Sequence, residues 1–380
     1  MRYKKLKNTK NEVSVLGFGC MRFPTTGNGN KNIDIGKSEK MLDYAYENGV
    51  NYFDTAWPYH EKESEKFVGN YISKRNIRDD IFLATKLPSW LIDSKDDMYK
   101  YFNKQLERLK TDYIDYYLIH SLNKKFWKNL KKNGLFDFIN EIKEKGLIKH
   151  IGFSFHGEYE VFEKIIDEYD GWEFVQIQLN YLDEKWQAGL KGLEYANKND
   201  LDIIIMEPLK GGKIVGDIPK DIEKIFKNSK NKRKPVKWAL DYLWNKPEVD
   251  ILLSGMSTID QVTENVKYAD ISETNCFDES DIKVIENVKR EYKKRIAINC
   301  TQCKYCIPCP VEINIPLAFK QYNNYKKFDD FEKFKNKYIE ETKPSIRASK
   351  CIECGECIDK CPQNINIPKE LKIVAKDFEK

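Results

Sequence analysis

Between residue 13 and about residue 255, short apolar runs alternate with longer amphipathic stretches. The runs are VLGFGC (15–20), VNYFD (50–54), IFLATK (81–86), IDYYLIH (114–120), IKHIGFS (148–154), FVQIQ (174–178), DIIIM (202–206) and DILLSG (250–255). Each is rich in strand-favouring residues and ends in glycine or polar residues. The stretches between them carry the helical period. In SEKMLDYAYEN (38–48), Met41, Leu42, Ala45 and Tyr46 share one face, and Gly49 reads as the C-cap. Residues 98–109 and 136–145 repeat the pattern, the latter ended by Gly146. Eight β-then-α units over about 250 residues predict an α/β fold, a TIM (β/α)8 barrel. An open doubly wound sheet is the competing arrangement, and the missing GxGxxG after the first strand weighs against it. Residues 1–15 predict a small hairpin that plugs the N-terminal end of the barrel.

Two helical segments, 259–268 and 278 to about 294, follow the eighth run. The character of the chain then changes. Eight of its ten cysteines lie in CTQCKYCIPCP, from Cys300, or in CIECGECIDKCP, from Cys351. Residues 316–341 between them are charged and aromatic and read as helices rather than as a linker. The predicted domains are 1–296, the barrel, and 297–380, a small cysteine-rich module of helices and loops.

The 380 residues are 41% hydrophobic and 33% charged, which supplies a large core, and the net charge of +5 comes from interspersed Lys and Glu. No basic stripe with interleaved aromatics occurs, so no nucleic-acid partner is expected. The Lys-rich stretch 230–237 reads as solvated charge. No apolar run approaches the ~18 residues of a membrane span. The start, MRYKKLKNTKNE, lacks the apolar centre of a signal peptide. The expectation is a cytoplasmic protein with no membrane partner. In a reducing compartment, clustered cysteines are metal ligands rather than disulfides.

The cysteine-rich module contains a repeat. CPVEINIP from Cys309 recurs as CPQNINIP from Cys361, and each copy follows three cysteines spaced two residues apart. The second run has the C-x2-C-x2-C-x3-C-P spacing of bacterial 4Fe–4S proteins. Tetrahedral zinc is the alternative, although zinc ribbons show paired CxxC rather than runs of four ending in CP. The module resembles a ferredoxin with two 4Fe–4S clusters. That resemblance implies Cys300, Cys303, Cys306 and Cys361 around one cluster, and Cys351, Cys354, Cys357 and Cys309 around the other. The first run departs from the pattern, with two residues rather than three between Cys306 and Cys309. Cys20 and Cys276 read as core or surface thiols.

Catalytic residues of a TIM barrel sit at the C-terminal ends of its strands. The second run ends in Asp54 and continues DTAWPY to Tyr59; the third ends in Lys86; the fourth ends in His120. Of four histidines, three (His60, His120, His156) fall at or just after strand ends. The series D-T-A-x-x-Y, T-K and I-H closing successive strands resembles the aldo-keto reductase family. GFGCMR (17–22), IGFS (151–154), QIQ (176–178), EPLKGG (207–212), and Gly255 followed by Gln261 and Glu264-Asn265 extend the likeness over nearly all of residues 1–270. The whole chain is similar to the branch of that family with a ferredoxin-like C-terminus.

The resemblance implies carbonyl reduction with hydride from NADP(H) or NAD(H). It makes Tyr59 the proton donor, with Lys86 lowering the phenol pKa, Asp54 holding Lys86, and His120 bonding the carbonyl oxygen. It sets Met21, Arg22, Asp54, Ser154, Gln176, Pro208, Leu209, Gly211, Gly255, Met256, Gln261, Glu264 and Asn265 against the nucleotide. Two departures stand out. Phe155 replaces the Asn common after the serine. Gly255, Met256 and Gln261 stand where NADP-dependent members use a Lys-Ser pair and an Arg, a guanidinium that binds a 2′-phosphate through charge-assisted bonds; Lys210 and Lys213 are the charges that remain nearby. Trp57, Trp90, Leu91 and Tyr181 are expected to wall the substrate pocket. The expected partners are a small carbonyl or alcohol and a redox partner protein. The competing function is an iron–sulfur electron-transfer protein that uses its barrel as a docking scaffold.

Overall fold

The computed structural model describes residues 1–27 and 30–380. Strands that are apolar on both sides need both faces covered. A sheet closed on itself, filled by its own side chains and ringed by helices, meets that need. The chain opens with β1 (Tyr3–Lys5) and β2 (Glu12–Ser14), an antiparallel hairpin in the register Tyr3 to Ser14. The barrel strands are β3 (Leu16–Gly19), β4 (Tyr52–Asp54), β5 (Phe82–Leu87), β6 (Ile114–Leu122), β7 (Ile148–Phe155), β8 (Phe174–Gln178), β9 (Asp202–Met206) and β10 (Ile251–Ser254). They close in chain order, β10 returning to β3, with every pair parallel. Parallel closure puts all eight C-terminal ends on one rim. Leu6 and Val13 of the hairpin pack in one buried cluster with Tyr52, Tyr116, Phe174, Ile204 and Ile251 of the barrel interior.

The helices between strands end where the sequence breaks their period. The helix Ile35–Glu47 is capped at its start by Asp34, whose side chain accepts from the backbone of Lys37, and Gly49 follows it at φ +87°. In the helix Ser64–Arg75, Gly69 permits a close approach: a Cβ there would stand 2.3 Å from the carbonyl oxygen of Arg108 and 2.6 Å from the backbone of Leu109. Gly69→Ala would gain about 1 kcal/mol in helix propensity. It would also force two helices apart, at a cost of roughly 1–3 kcal/mol. The expected net result is a melting temperature lower by several degrees, read by circular dichroism; an unchanged or higher value would refute the close-approach account.

The chain forms two compact units, Met1–Pro208 with Ala239–Cys276, and Leu209–Trp238 with Phe277–Lys380. The first holds the hairpin and the eight barrel strands. The second joins the segment after β9 to the cysteine-rich end, across the change of composition at residue 296. Ion pairs hold it: Arg295 to Asp221 at 2.6 Å and Arg233 to Asp281 at 3.0 Å.

The repeat read in the sequence is a repeat in space. Glu312 N–H bonds the carbonyl of Cys309 and Asn364 N–H that of Cys361, both at positive φ. Asn314 and Asn366 then cap the helices Ile315–Phe328 and Ile367–Phe378, each with proline in its first turn. The isoleucines of both copies, Ile313, Ile315, Ile365 and Ile367, are buried together with Phe319, Tyr338, Leu371 and Phe378. Among the described residues no helix is long and apolar enough to cross a membrane.

Candidate active site and cysteine clusters

The residues that end β4, β5 and β6 come together on the rim. Asp54 pairs with Lys86 at 2.5 Å, and Lys86 also donates to the Thr55 carbonyl at 2.8 Å. Lys86 is 0% exposed and Asp54 2%. Burial pushes the Lys86 ammonium down and the Asp54 carboxyl up; the contact between them opposes both shifts. Lys86 Nζ lies 5.1 Å from the centre of the Tyr59 ring. Tyr59 meets His120 edge to face at 6.2 Å. Burial, and next the charge of Lys86, hold His120 well below the usual histidine range, so it is neutral. A break in register between Ile119 and Leu122 puts His120 at a bulge of β6, a device that re-aims side chains beside sites.

On the same unit, Ser154 Oγ accepts the backbone N–H of Ser121 at 2.8 Å. Gln176 turns its amide nitrogen to Met206 Sδ at 3.5 Å, and its buried Oε1 has no partner. An orphaned amide oxygen beside a serine hydroxyl fits a primary carboxamide such as that of nicotinamide, which offers two donors. Phe155 is buried, 5.2 Å from Phe162, so the departure from Asn there is apolar packing under a helix.

The residues expected at the adenosine end are more occupied with one another. Arg22 pairs with Glu207 at 3.2 Å, and a Cβ on Gly255 would press on the Arg22 side chain at 2.9 Å. Gln261 is exposed and its Oε1 accepts the Ser257 N–H at 2.8 Å, completing the cap of the helix Ile259–Asp270. Asn265 is buried against Ser254 Oγ at 2.9 Å, Glu264 accepts from Tyr268 at 3.0 Å, and Met256 is buried. Met21 is half-buried and Pro208 buried. Leu209 and Gly211 belong to the second unit, Gly211 at φ +64°.

Around the rim, Trp90 lies 5.2 Å from His120, Leu91 ends the turn Ser89–Leu91, and Tyr181 meets Tyr242 at 6.1 Å. Trp57 is clamped by Tyr101 at 4.8 Å and by the Arg108 guanidinium at 3.7 Å from its ring centre. Arg108 reaches the fully buried Glu65 at 3.2 Å, which also accepts from Thr85 and Gln105 at 2.7 Å. Sequence reading missed this network; the capacity of Glu65 to serve a buried ion pair has no local signature. Two of the three rim histidines are held structurally. His60 accepts the Phe23 N–H at 3.1 Å and meets the Asn30 carbonyl at 2.8 Å, while His156 faces Gln187 at 3.1 Å.

In the second unit the thiols form two neighbourhoods. Cys306 feels Cys303, Cys300 and Cys361; Cys357 feels Cys351, Cys354 and Cys309. The latter four line a solvent-open cavity that Cys306 also lines, with Pro310, Ile352 and Leu371 among its apolar walls. Burial first and neighbouring thiols second push Cys357 up to about 11 and Cys306 further. Among the described residues no three His, Cys or carboxylate groups converge as ligands of one metal ion do. Four thiols spread around a cavity suit a polynuclear cluster better than a single zinc ion.

The model of the aldo/keto reductase family matches residues 15–290, and that of a 4Fe-4S dicluster domain matches residues 299–365. The chain belongs to the aldo/keto reductase family. Its C-terminal part, residues 299–365, matches a 4Fe-4S dicluster domain. It is 27% identical over 320 residues to the uncharacterized oxidoreductase YqkF of Bacillus subtilis, covering 76% of this chain and 96% of the relative. It is 24% identical over 307 residues to L-galactose dehydrogenase of Arabidopsis thaliana, covering 76% and 95%. Among solved structures it resembles the holo form of aldo-keto reductase AKR11C1 from Bacillus halodurans, with a TM-score of 0.63, 25% identity, and coverage of 76% and 96%.

Proposed function

We propose that the chain is an NAD(P)H-dependent oxidoreductase that interconverts a small carbonyl compound and its alcohol. The observation that carries this reading is the buried Lys86–Asp54 pair beneath the Tyr59 ring, with neutral His120 beside it. Desolvating such a pair costs several kcal/mol per ion. Placing it under a phenol makes that charge useful: the ammonium stabilises the phenolate left when Tyr59 gives its proton to the carbonyl oxygen. His120, being neutral, is a hydrogen-bond donor to that oxygen rather than a competing acid. Ser154 and Gln176 hold the carboxamide of the nucleotide, whose nicotinamide supplies the hydride.

The functional domains are 1–296 and 297–380, in keeping with the two family matches. Cys300, Cys303, Cys306 and Cys361 hold one 4Fe–4S cluster, and Cys309, Cys351, Cys354 and Cys357 the other. Binding requires each thiol to lose its proton, and the bound clusters supply one-electron transfer to a redox partner protein. Exposed Cys354 and the open cavity beside it favour an anaerobic, cytoplasmic setting.

NADH is the preferred nucleotide. Arg22 is engaged by Glu207, and Gln261 offers no charge to a 2′-phosphate. Gln261→Arg should improve NADPH affinity about tenfold or more, the worth of one charge-assisted bond, and leave that for NADH nearly unchanged. Anaerobic purification followed by fluorescence titration with each nucleotide tests the reading; failure to bind either removes it.

A further inference from the structure

Tyr59 is gripped on both sides along the chain. Its N–H bonds the Ala56 carbonyl at 3.1 Å, so Trp57 and Pro58 are the central residues of one tight turn. The three residues after it, His60, Glu61 and Lys62, all lie at positive φ, between 51° and 78°. Residues other than glycine adopt that region at a cost and persist there only when surrounding contacts impose it. After Tyr59 the contact is His60, which accepts the Phe23 N–H at 3.1 Å. Before Tyr59 it is Trp57, packed between the Tyr101 ring at 4.8 Å and the Arg108 guanidinium at 3.7 Å.

Tyr101 and Arg108 belong to the helix Lys95–Leu109. That helix also carries Gln105, which is fully buried and donates to the Lys86 carbonyl at 2.9 Å. Glu65, fully buried as well, joins the parts: it accepts from Arg108 at 3.2 Å, and from Gln105 and the Thr85 hydroxyl at 2.7 Å. One helix thus holds both the turn that leads to Tyr59 and the strand end that carries Lys86. All of these residues lie in the first unit. A buried ion pair is a poor source of stability, since apolar side chains of the same volume do as well or better. Its place beneath the site gives it another use. We propose that Arg108, anchored by Glu65, is a positioning residue that sets Tyr59 over Lys86 by clamping Trp57. The inference rests on the reading of Tyr59 as proton donor. Misplacing a reacting group by about 1 Å costs up to roughly 10²-fold in rate. A phenol moved away from the ammonium also regains a higher pKa.

The test is NADH-dependent carbonyl reduction by the anaerobic full-length chain, with kcat and KM followed against pH. Trp57→Leu removes the clamped ring and leaves every charge in place. It should lower kcat roughly 10–10²-fold. Because the phenol acts only while protonated, the alkaline fall of kcat should also move up by about one pH unit. The Kd for NADH should stay within about twofold, since Ser154 and Gln176 stand on β7 and β8. Arg108→Met with Glu65→Gln removes both charges and leaves neither buried alone, so it should fold and reproduce both changes. All three substitutions together should be no slower than Trp57→Leu, as for residues that act through one another. An unchanged kcat in Trp57→Leu overturns the proposal. A lower kcat with the alkaline limb unmoved overturns it too, being the result of lost folded protein or lost substrate contact. Multiplied effects in the triple variant overturn it by making Arg108 act apart from Trp57. If Arg108→Met with Glu65→Gln fails to fold by circular dichroism, Trp57→Leu decides alone. A wild type that reduces no carbonyl with either nucleotide overturns the reading of the site, and the proposal with it.

Discussion

With Tyr59 as the proposed proton donor, Tyr59→Phe should lower the turnover of carbonyl reduction by roughly 10²–10⁴-fold, the usual contribution of a positioned general acid. Nucleotide binding should stay within about twofold, because the phenyl ring remains and only the hydroxyl is lost. Tyr59 is the right residue to change for an energetic reason. Lys86→Met would leave Asp54 buried and unpaired, and breaking a buried pair costs about 3–5 kcal/mol of stability. Loss of activity in that variant would then mix chemistry with unfolding. Removing one hydroxyl at the barrel rim disturbs neither the 2.5 Å pair nor the Thr55 bond beneath it. His120 cannot substitute as the acid, because burial and the charge of Lys86 keep it neutral. The measurement is anaerobic oxidation of NADH against a panel of small aldehydes and ketones. Undiminished turnover in Tyr59→Phe would remove the catalytic reading and favour the barrel as a docking scaffold for electron transfer.

The barrel was legible in the sequence for a physical reason. Its strands are buried on both faces, so each appears as a short apolar run, and β8 and β9 coincide with the runs read at 174–178 and 202–206. Helix ends were legible where a single residue dictates the backbone, as at Gly49. Asp54, Lys86 and His120 could be picked out as candidates because the strand ends were visible, and the structure brings Asp54 and Lys86 into a pair with Tyr59 and His120 nearby. The pairings that join distant segments were not visible. Nothing local to Lys210 announces Asn299, 89 residues later. Likewise nothing near Trp57 announces the guanidinium of Arg108. Arg22 and Gln261 show the limit of motif reading, since the motif names the position and only the structure gives the partner: Glu207 for one, the Ser257 N–H for the other. The cysteine repeat was the opposite case. C-P-x-x-I-N-I-P encodes a turn, a cap and a proline start in consecutive letters, and both copies fold alike.

A crossing of Cys309 and Cys361 between the two sets, as proposed, would yield a result no uncrossed arrangement can imitate. Two 4Fe–4S clusters hold about eight iron atoms per chain. Changing Cys309 and Cys351 to Ala together removes two ligands. If Cys309 belongs with Cys351, Cys354 and Cys357, both losses fall on one cluster, and about four iron atoms remain. If each run of four cysteines holds its own cluster, the same pair damages both, and little iron survives. Cys300→Ala with Cys361→Ala is the mirror experiment and should also leave about four. The mixed pair, Cys309→Ala with Cys361→Ala, strikes both clusters in either arrangement and sets the floor of the measurement. The crossed reading is supported by Cys309 standing beside Cys357 and Cys361 beside Cys300; the cavity that Cys309 shares with Cys351, Cys354 and Cys357 is lined by Cys306 as well. Iron and sulfide counts on anaerobic protein, with the spectrum of the dithionite-reduced state, decide between the two arrangements. Near-zero iron in the Cys309–Cys351 pair, at the level of the mixed pair, would uncross them.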